Sequence, residues 1–212
     1  MSEPREKILG LVASGKVSVS DGELLLASLR PGRSRLWQWL FSPFELAKPV
    51  WLWTLAALVS AGSFALAPLN IHFDGALDLH LLESAASWRV ALLEQAVAWP
   101  LTALVLWLVA LVTRQRAPLL ELIGFVGAAR LPHLLAALMV MAITASIDLK
   151  ADQRAAPLIL LTVFPLVAWT CALLVSAFRT ATGSRGVKLG ISCFAALVLA
   201  EVVAQACLGV LS

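Results

Sequence analysis

The sequence predicts an all-α polytopic membrane protein: five transmembrane helices preceded by a small cytoplasmic helical hairpin. Three observations predict it. Of the 212 residues, 60% are hydrophobic and only 14% are charged, against about 25% charged in an ordinary soluble domain. Polar residues concentrate before position 49, and the rest of the chain comes as long apolar runs. Those runs lack the two-residue alternation of barrel strands, and each approaches the about 20 residues a helix needs to cross a bilayer.

The first element, residues 1–32, reads as a helical hairpin. Ile8, Leu9, Leu11 and Val12 form an apolar face behind a charged first turn, and Gly15 stops the helix. Ser20, with Glu23 three residues on, is the expected cap of the second helix. Leu24, Leu25, Leu26 and Leu29 give that helix its apolar face, and Pro31 and Gly32 end it. So small a module has no large core of its own. It is expected to pair with itself, with another membrane protein or with the membrane surface. Residues 33–49 interleave Trp37, Trp39, Leu40, Phe41 and Phe44 with Arg33, Arg35 and Lys48. Aromatic and basic side chains together favour the headgroup layer, so this stretch reads as an interfacial linker.

The membrane domain then occupies residues 50–212, with spans near 50–69, 90–113, 131–147, 157–178 and 188–211. The third is the shortest. The stretch before it, 117–130, carries Glu121, Gly124, Gly127 and Arg130 among its apolar residues. It reads as a helix lying along the inner membrane surface, with Arg114, Arg116, Glu121 and Arg130 at the headgroups. Pro132 then starts the span, where a missing N–H costs little, and His133 serves as a polar anchor at the interface.

Orientation follows from basic residues near the span ends. Arg30, Arg33, Arg35 and Lys48 precede the first span. Arg114, Arg116 and Arg130 lie between the second and third, and Arg179, Arg185 and Lys188 between the fourth and fifth. The other side has Arg89, Lys150 and Arg154, offset by Asp74, Asp78, Glu83, Asp148 and Asp152. The N-terminus is expected in the cytoplasm and the C-terminus outside. Trp51, Trp53 and Trp88 read as interface anchors, and Trp99 and Trp107 as packing residues. Two runs of small residues, Ala57/Ala61 and Ser192/Ala196/Ala200/Ala204, have the four-residue spacing that lets helices approach closely.

Two carboxylates fall inside apolar spans. Glu94 lies about one turn inside the outer face, and Glu201 somewhat past the middle of the last helix. An ionisable group in the bilayer core needs a partner, water or a proton. The two glutamates can form a proton or cation site, or they can fix helix packing, and Glu94 can also reach the outer headgroups. Gln205, one turn beyond Glu201, favours an internal packing network. In the outer loop His72, Asp74, Asp78 and His80 are types that bind zinc, but their spacing matches no metal motif. The stretch reads equally as a loop opening an amphipathic helix capped by Asp74.

The three cysteines, Cys171, Cys193 and Cys207, lie in apolar runs and suggest neither disulfides nor a metal site. No phosphate loop, HExxH, GxGxxG or nucleophile–base pattern is present. No cofactor and no enzymatic activity are expected. The net charge of +3 comes from residues flanking apolar runs and does not suggest nucleic acid as a partner. The expected partner is the lipid bilayer.

Two resemblances add to this. EKILGLVASGKVSVSDGELLLASL resembles the short bacterial helical-hairpin modules of the SHOCT-like kind. WLVALVTRQRAPLLELIGFVGAARLPHLLAALM and VAWTCALLVSAFRTATGSRGVKLGISCFAAL resemble the Yip1 family, through Gly127, Ala128, Ala129, Leu131 and Pro132 in the first and Trp169, Arg179, Arg185 and Lys188 in the second. The resemblance implies a five-helix membrane domain with a cytoplasmic N-terminus, here in a bacterial inner membrane. Eukaryotic relatives take part in vesicle trafficking and bind small GTPases or other membrane proteins. This chain lacks their acidic-leucine-glycine-proline motif, and no catalytic residue is carried over. The function expected is that of a non-enzymatic membrane scaffold or organiser with a docking hairpin. The alternative is a small proton- or cation-coupled transporter or channel using Glu94 and Glu201.

Overall fold

The structure is a computed structural model that describes residues 3–19, 21–22, 35–69, 71–72, 77, 80–81, 87–146 and 155–211. The chain divides into two compact units, Met1–Leu40 and Phe41–Ser212.

In the first unit, α1 spans Glu3–Ala13. It ends at Gly15, whose φ of 71° lies in the left-handed region that glycine enters without strain. The next helix is capped two residues earlier than expected. The cap is Ser18, whose Oγ accepts the N–H of Asp21 at 3.1 Å and donates to Asp21 Oδ2 at 2.6 Å. Two candidate caps stand two residues apart here, and Ser18 also has Asp21 to answer it. Gly22 packs so tightly on α1 that an added Cβ would lie 2.3 Å from Val12 Cγ2. The predicted Ser20–Glu23 box lies outside the described residues. A short helix, α2, runs Arg35–Phe41.

In the second unit, α3 is Pro49–Leu66, and proline opens it where no N–H is needed. A two-residue antiparallel pair follows, β1 (Ile71–His72) with β2 (His80–Leu81), in register Ile71↔Leu81 and His72↔His80. The remaining helices are α4 (Trp88–Ala96), α5 (Thr102–Val112), α6 (Leu119–Ala129), α7 (Leu131–Ser146), α8 (Ala155–Thr182) and α9 (Gly186–Leu211). A π-helical turn, Val97–Leu101, joins α4 to α5. Pro100 within it has no N–H to return to Ala96, and the ladder widens around the gap. Gly183 and Gly186, both left-handed, make the turn between α8 and α9.

Five segments are long and apolar enough to cross a membrane: Pro49–Leu69, Trp88–Val112, Leu119–Ser146, Pro157–Thr182 and Gly186–Leu208. The chain is an all-α, multi-pass membrane protein. Large apolar side chains cover its outer surface, among them Phe164, Leu161, Ile191, Phe194 and the terminal tryptophans Trp51 and Trp88.

The third span differs from its expectation. Residues 117–130 do not form a surface helix. Leu122 and every residue from Gly124 to Arg130 are buried, and α6 packs on α3, α5 and α8. Its glycines are notches for neighbouring aromatics. A Cβ on Gly124 would lie 3.1 Å from Trp53 Nε1, and one on Gly127 would lie 2.5 Å from Trp99 Nε1 and 2.6 Å from Ala56 Cβ. Farther along, Gly62 of α3 meets Leu134 of α7. Thus α3 runs beside α6 and then α7 in one direction, and the two together make one broken span.

The linker also needs correction at its end. Phe44 is buried, its ring centroid 5.1 Å from that of Phe125 on α6. Glu45 pairs with Arg179 at 2.5 Å, and Ser42 accepts from the same guanidinium at 3.1 Å. Residues 42–45 are thus part of the helical domain.

Of the small-residue runs, Ser192, Ala196, Ala200 and Ala204 are all buried on α9, and Ala200 packs beside Val105 of α5. The run in α3 is one position off: Ala57 and Ala61 are exposed, and the buried stripe is Leu52, Ala56, Val59, Ser63 and Leu66.

Candidate functional site

The break in the third span sets the site. Pro132 lacks an N–H, and its ring crowds the carbonyl four residues back, so the ladder lapses between α6 and α7. Arg130 fills the gap. Its N–H reaches Gly127 O at 3.3 Å, and its carbonyl accepts from His133 N at 3.0 Å and Leu134 N at 3.2 Å. The break therefore turns two polar side chains into the middle of the bundle. Arg130 and His133 expose only 3% and 2% of their surfaces.

Each binds a different helix. Arg130 Nη1 donates to Gln95 Oε1 on α4 at 3.3 Å, and Ser60 Oγ on α3 donates to the same oxygen at 3.5 Å. His133 Nδ1 lies 2.8 Å from Thr170 Oγ1 on α8, and Nε2 lies 3.2 Å from Leu77 O. The N–H of Leu77 in turn donates to Glu201 Oε2 on α9 at 3.4 Å. Through these contacts all five spans share one polar seam.

Leu77 gives the seam its most unusual member. It belongs to the connection between the first two spans, expected to lie outside the bilayer. Instead it packs beside the buried Val105 and Ala200, deep along α5 and α9. Ile71, at the start of the same connection, is buried between Leu66 and Ala137. Non-helical backbone at this depth is tolerated only when its polar groups find partners within the protein. Glu201 and His133 provide them for Leu77.

The predicted site residues separate accordingly. Glu94 is 5% exposed, so it does not reach for headgroups; beside it in the chain, Gln95 is 7% exposed and joins Arg130. Glu201 is half-buried, and Gln205 is exposed and does not extend a buried polar face. Gly127 is the notch for Trp99, whose Nε1–H also donates to Ile123 O at 2.6 Å. Leu131 is partly buried, Pro132 is fully buried at the break, and Trp169 packs against the main core. His72 and His80 stand opposite each other in the β pair, whereas Asp74 and Asp78 lie outside the described residues. His80 and Leu81 are extended, in place of the amphipathic helix expected from Asp74.

Arg130, His133, Gln95 and Thr170 were not singled out as a site by the sequence. The available signal was length: residues 119–146 are 28 long and cross as one segment, which puts Arg130 near the middle. Among the described residues no group of three or more His, Cys, Asp or Glu is arranged to hold a metal ion. No family model, no curated protein and no solved structure matches the chain.

Proposed function

We propose that the chain is a non-enzymatic membrane scaffold of Yip1-like architecture, with the N-terminal helical hairpin as its cytoplasmic docking element. The observation that carries this reading is how the polar residues between the spans are used. Ser60, Gln95, Arg130, His133, Thr170 and Glu201 bond from one element to another and tie five spans into one body. Such cross-links suit a fixed platform. The first 40 residues form a compact unit of their own, which suits a module offered to a partner. The orientation proposed is N-terminus cytoplasmic and C-terminus outside, in a bacterial inner membrane. Moving Arg130 from the headgroups to mid-span takes it out of the charge count, yet Arg114 and Arg116 still mark that end as cytoplasmic.

Deletion of residues 1–32 tests the docking role. The helical domain is expected to keep its melting temperature in detergent while the oligomeric state or the set of co-purifying proteins changes. If the truncated and full-length proteins retained identical partners and identical mass by light scattering, the hairpin would have no docking role.

A further inference from the structure

Two connections lie side by side at the end of the bundle where α5 stops and α6 and α9 begin. Helices α5 and α9 pack together, with Val105 beside Ala200. From that contact about three helical turns lead along α5 to its end, and about three lead back along α9 to its start. The α5–α6 loop and the α8–α9 turn therefore stand at one level. The loop carries Arg114 and Arg116, and the turn carries Arg185 with Lys188 just inside α9; all of these side chains are exposed. The ion pair of this end joins Arg179 to Glu45, and among the described residues the other cations form none. Glu121 of α6 is the remaining acid there.

The backbone shapes the loop. Arg114 has a φ of 57°, in the left-handed region that glycine usually fills. The N–H of Gln115 then returns to Ala110 O at 2.8 Å. This reversal buries Gln115 and leaves an exposed arginine on either side of it. Gln115 is 8% exposed, yet among the described residues neither its Oε1 nor its Nε2 has a hydrogen-bond partner. A buried amide left unsatisfied is costly, and a ligand that supplies a polar atom offsets that cost. The first turn of α9 adds N–H groups that lack a helical acceptor and favour negative charge.

The flanks of this cationic corner are apolar. Val112 at the end of α5 and Ile191 near the start of α9 are 83% and 66% exposed. A soluble anion gains nothing from them. A phospholipid does, because its acyl chains run beside apolar side chains while its phosphate stays with the cations at the membrane surface. We infer that this corner binds one anionic phospholipid. Arg114, Arg116 and Lys188 hold its phosphate, and Gln115 Nε2 is a further donor. Val112 and Ile191 line the path of an acyl chain. A zwitterionic headgroup brings its own cation and gains less. The site is separate from the docking role of the hairpin.

Native mass spectrometry of the delipidated full chain in a neutral detergent tests this, with phosphatidylglycerol and phosphatidylcholine as the probes. One phosphatidylglycerol per chain is expected to bind at least tenfold more tightly than phosphatidylcholine. The pair Arg116→Ala and Lys188→Ala is expected to remove that preference, and Gln115→Leu to weaken phosphatidylglycerol severalfold. Both sets should melt with the parent when lipid is absent, since the cations are exposed and leucine leaves no amide unsatisfied. Lys48→Ala is the control for diffuse attraction. It removes a cation at the start of α3, which packs on α6 and α7, and should leave the affinity unchanged. An equal loss for Lys48→Ala, or equal binding of the two lipids, would overturn the site. Displacement of the lipid by inorganic phosphate would reassign the corner to a soluble anion. A lipid-free dimer that the Arg116 and Lys188 substitutions dissolve would reassign it to a second copy of the chain, and either result overturns the inference.

Discussion

Gly127→Ala is expected to destabilise the helical domain by about 2–3 kcal/mol, the upper range for overpacking a core by one methyl. The added carbon would stand 2.6 Å from Ala56 Cβ and 2.5 Å from Trp99 Nε1. Ala56 has no rotamer to change, because its Cβ is fixed to the backbone of α3. Trp99 is held as well, by its bond to Ile123 O and by Trp53, whose ring centroid is 6.1 Å away. Relief therefore requires α3 and α6 to separate. Gly190→Ala is the control. Its Cβ would meet nothing within 4 Å, and alanine is about 1 kcal/mol better than glycine in a helix. Melting followed by fluorescence-detected size exclusion should show a clear loss for Gly127→Ala and none for Gly190→Ala. Equal melting temperatures would mean that α6 does not lie against α3 in this way.

Arg130→Leu is expected to cost about 2–4 kcal/mol, the range for removing one partner from a buried, charged contact. Gln95 would lose its guanidinium and stay buried. Replacing both residues with leucine should recover part of that loss, because removing both partners of a buried polar contact is less harmful than removing one; Ser60, only partly buried, is left to bond within its own helix. The double-mutant cycle would thus return a coupling energy of about 1 kcal/mol or more, as for other residues in direct contact. An arginine at the membrane surface behaves differently: its substitution falls within about 0.5 kcal/mol and couples to nothing.

The five spans were legible because length and hydropathy alone define them, and helices must satisfy their own backbone in lipid. The beginning of the third span was not, and the reason is specific. Glycine, alanine and arginine before a proline have the composition of an interface turn. In this fold the same small residues admit Trp53, Trp99 and Ala56, and the same proline creates the gap that Arg130 fills. Composition does not distinguish a residue that faces water from one that faces a polar partner across a helix contact. The re-entry of Leu77 was hidden likewise, since its neighbours Asp74 and Asp78 mark the stretch as polar. What fixes Leu77 is a pair of distant residues, His133 and Glu201, that no local pattern links to it. Glu201 was visible as an intramembrane carboxylate, but that it accepts the N–H of Leu77 required the fold. The stripe on α3 was missed by one position because counting small residues ignores which face carries Leu52, Val59 and Leu66.

Residues 119–146 form one broken span with Arg130 and His133 sealed inside the bundle. A single-cysteine scan from Ala117 to Ala137, in the background lacking the three native cysteines and labelled with a membrane-impermeant thiol reagent from either side, tests it most directly. Labelling is expected from one side only, confined to positions up to Glu121, with protection from Leu122 onward through Arg130 and His133. Labelling that recurred every three or four residues up to Arg130 would contradict it and return this segment to the membrane surface.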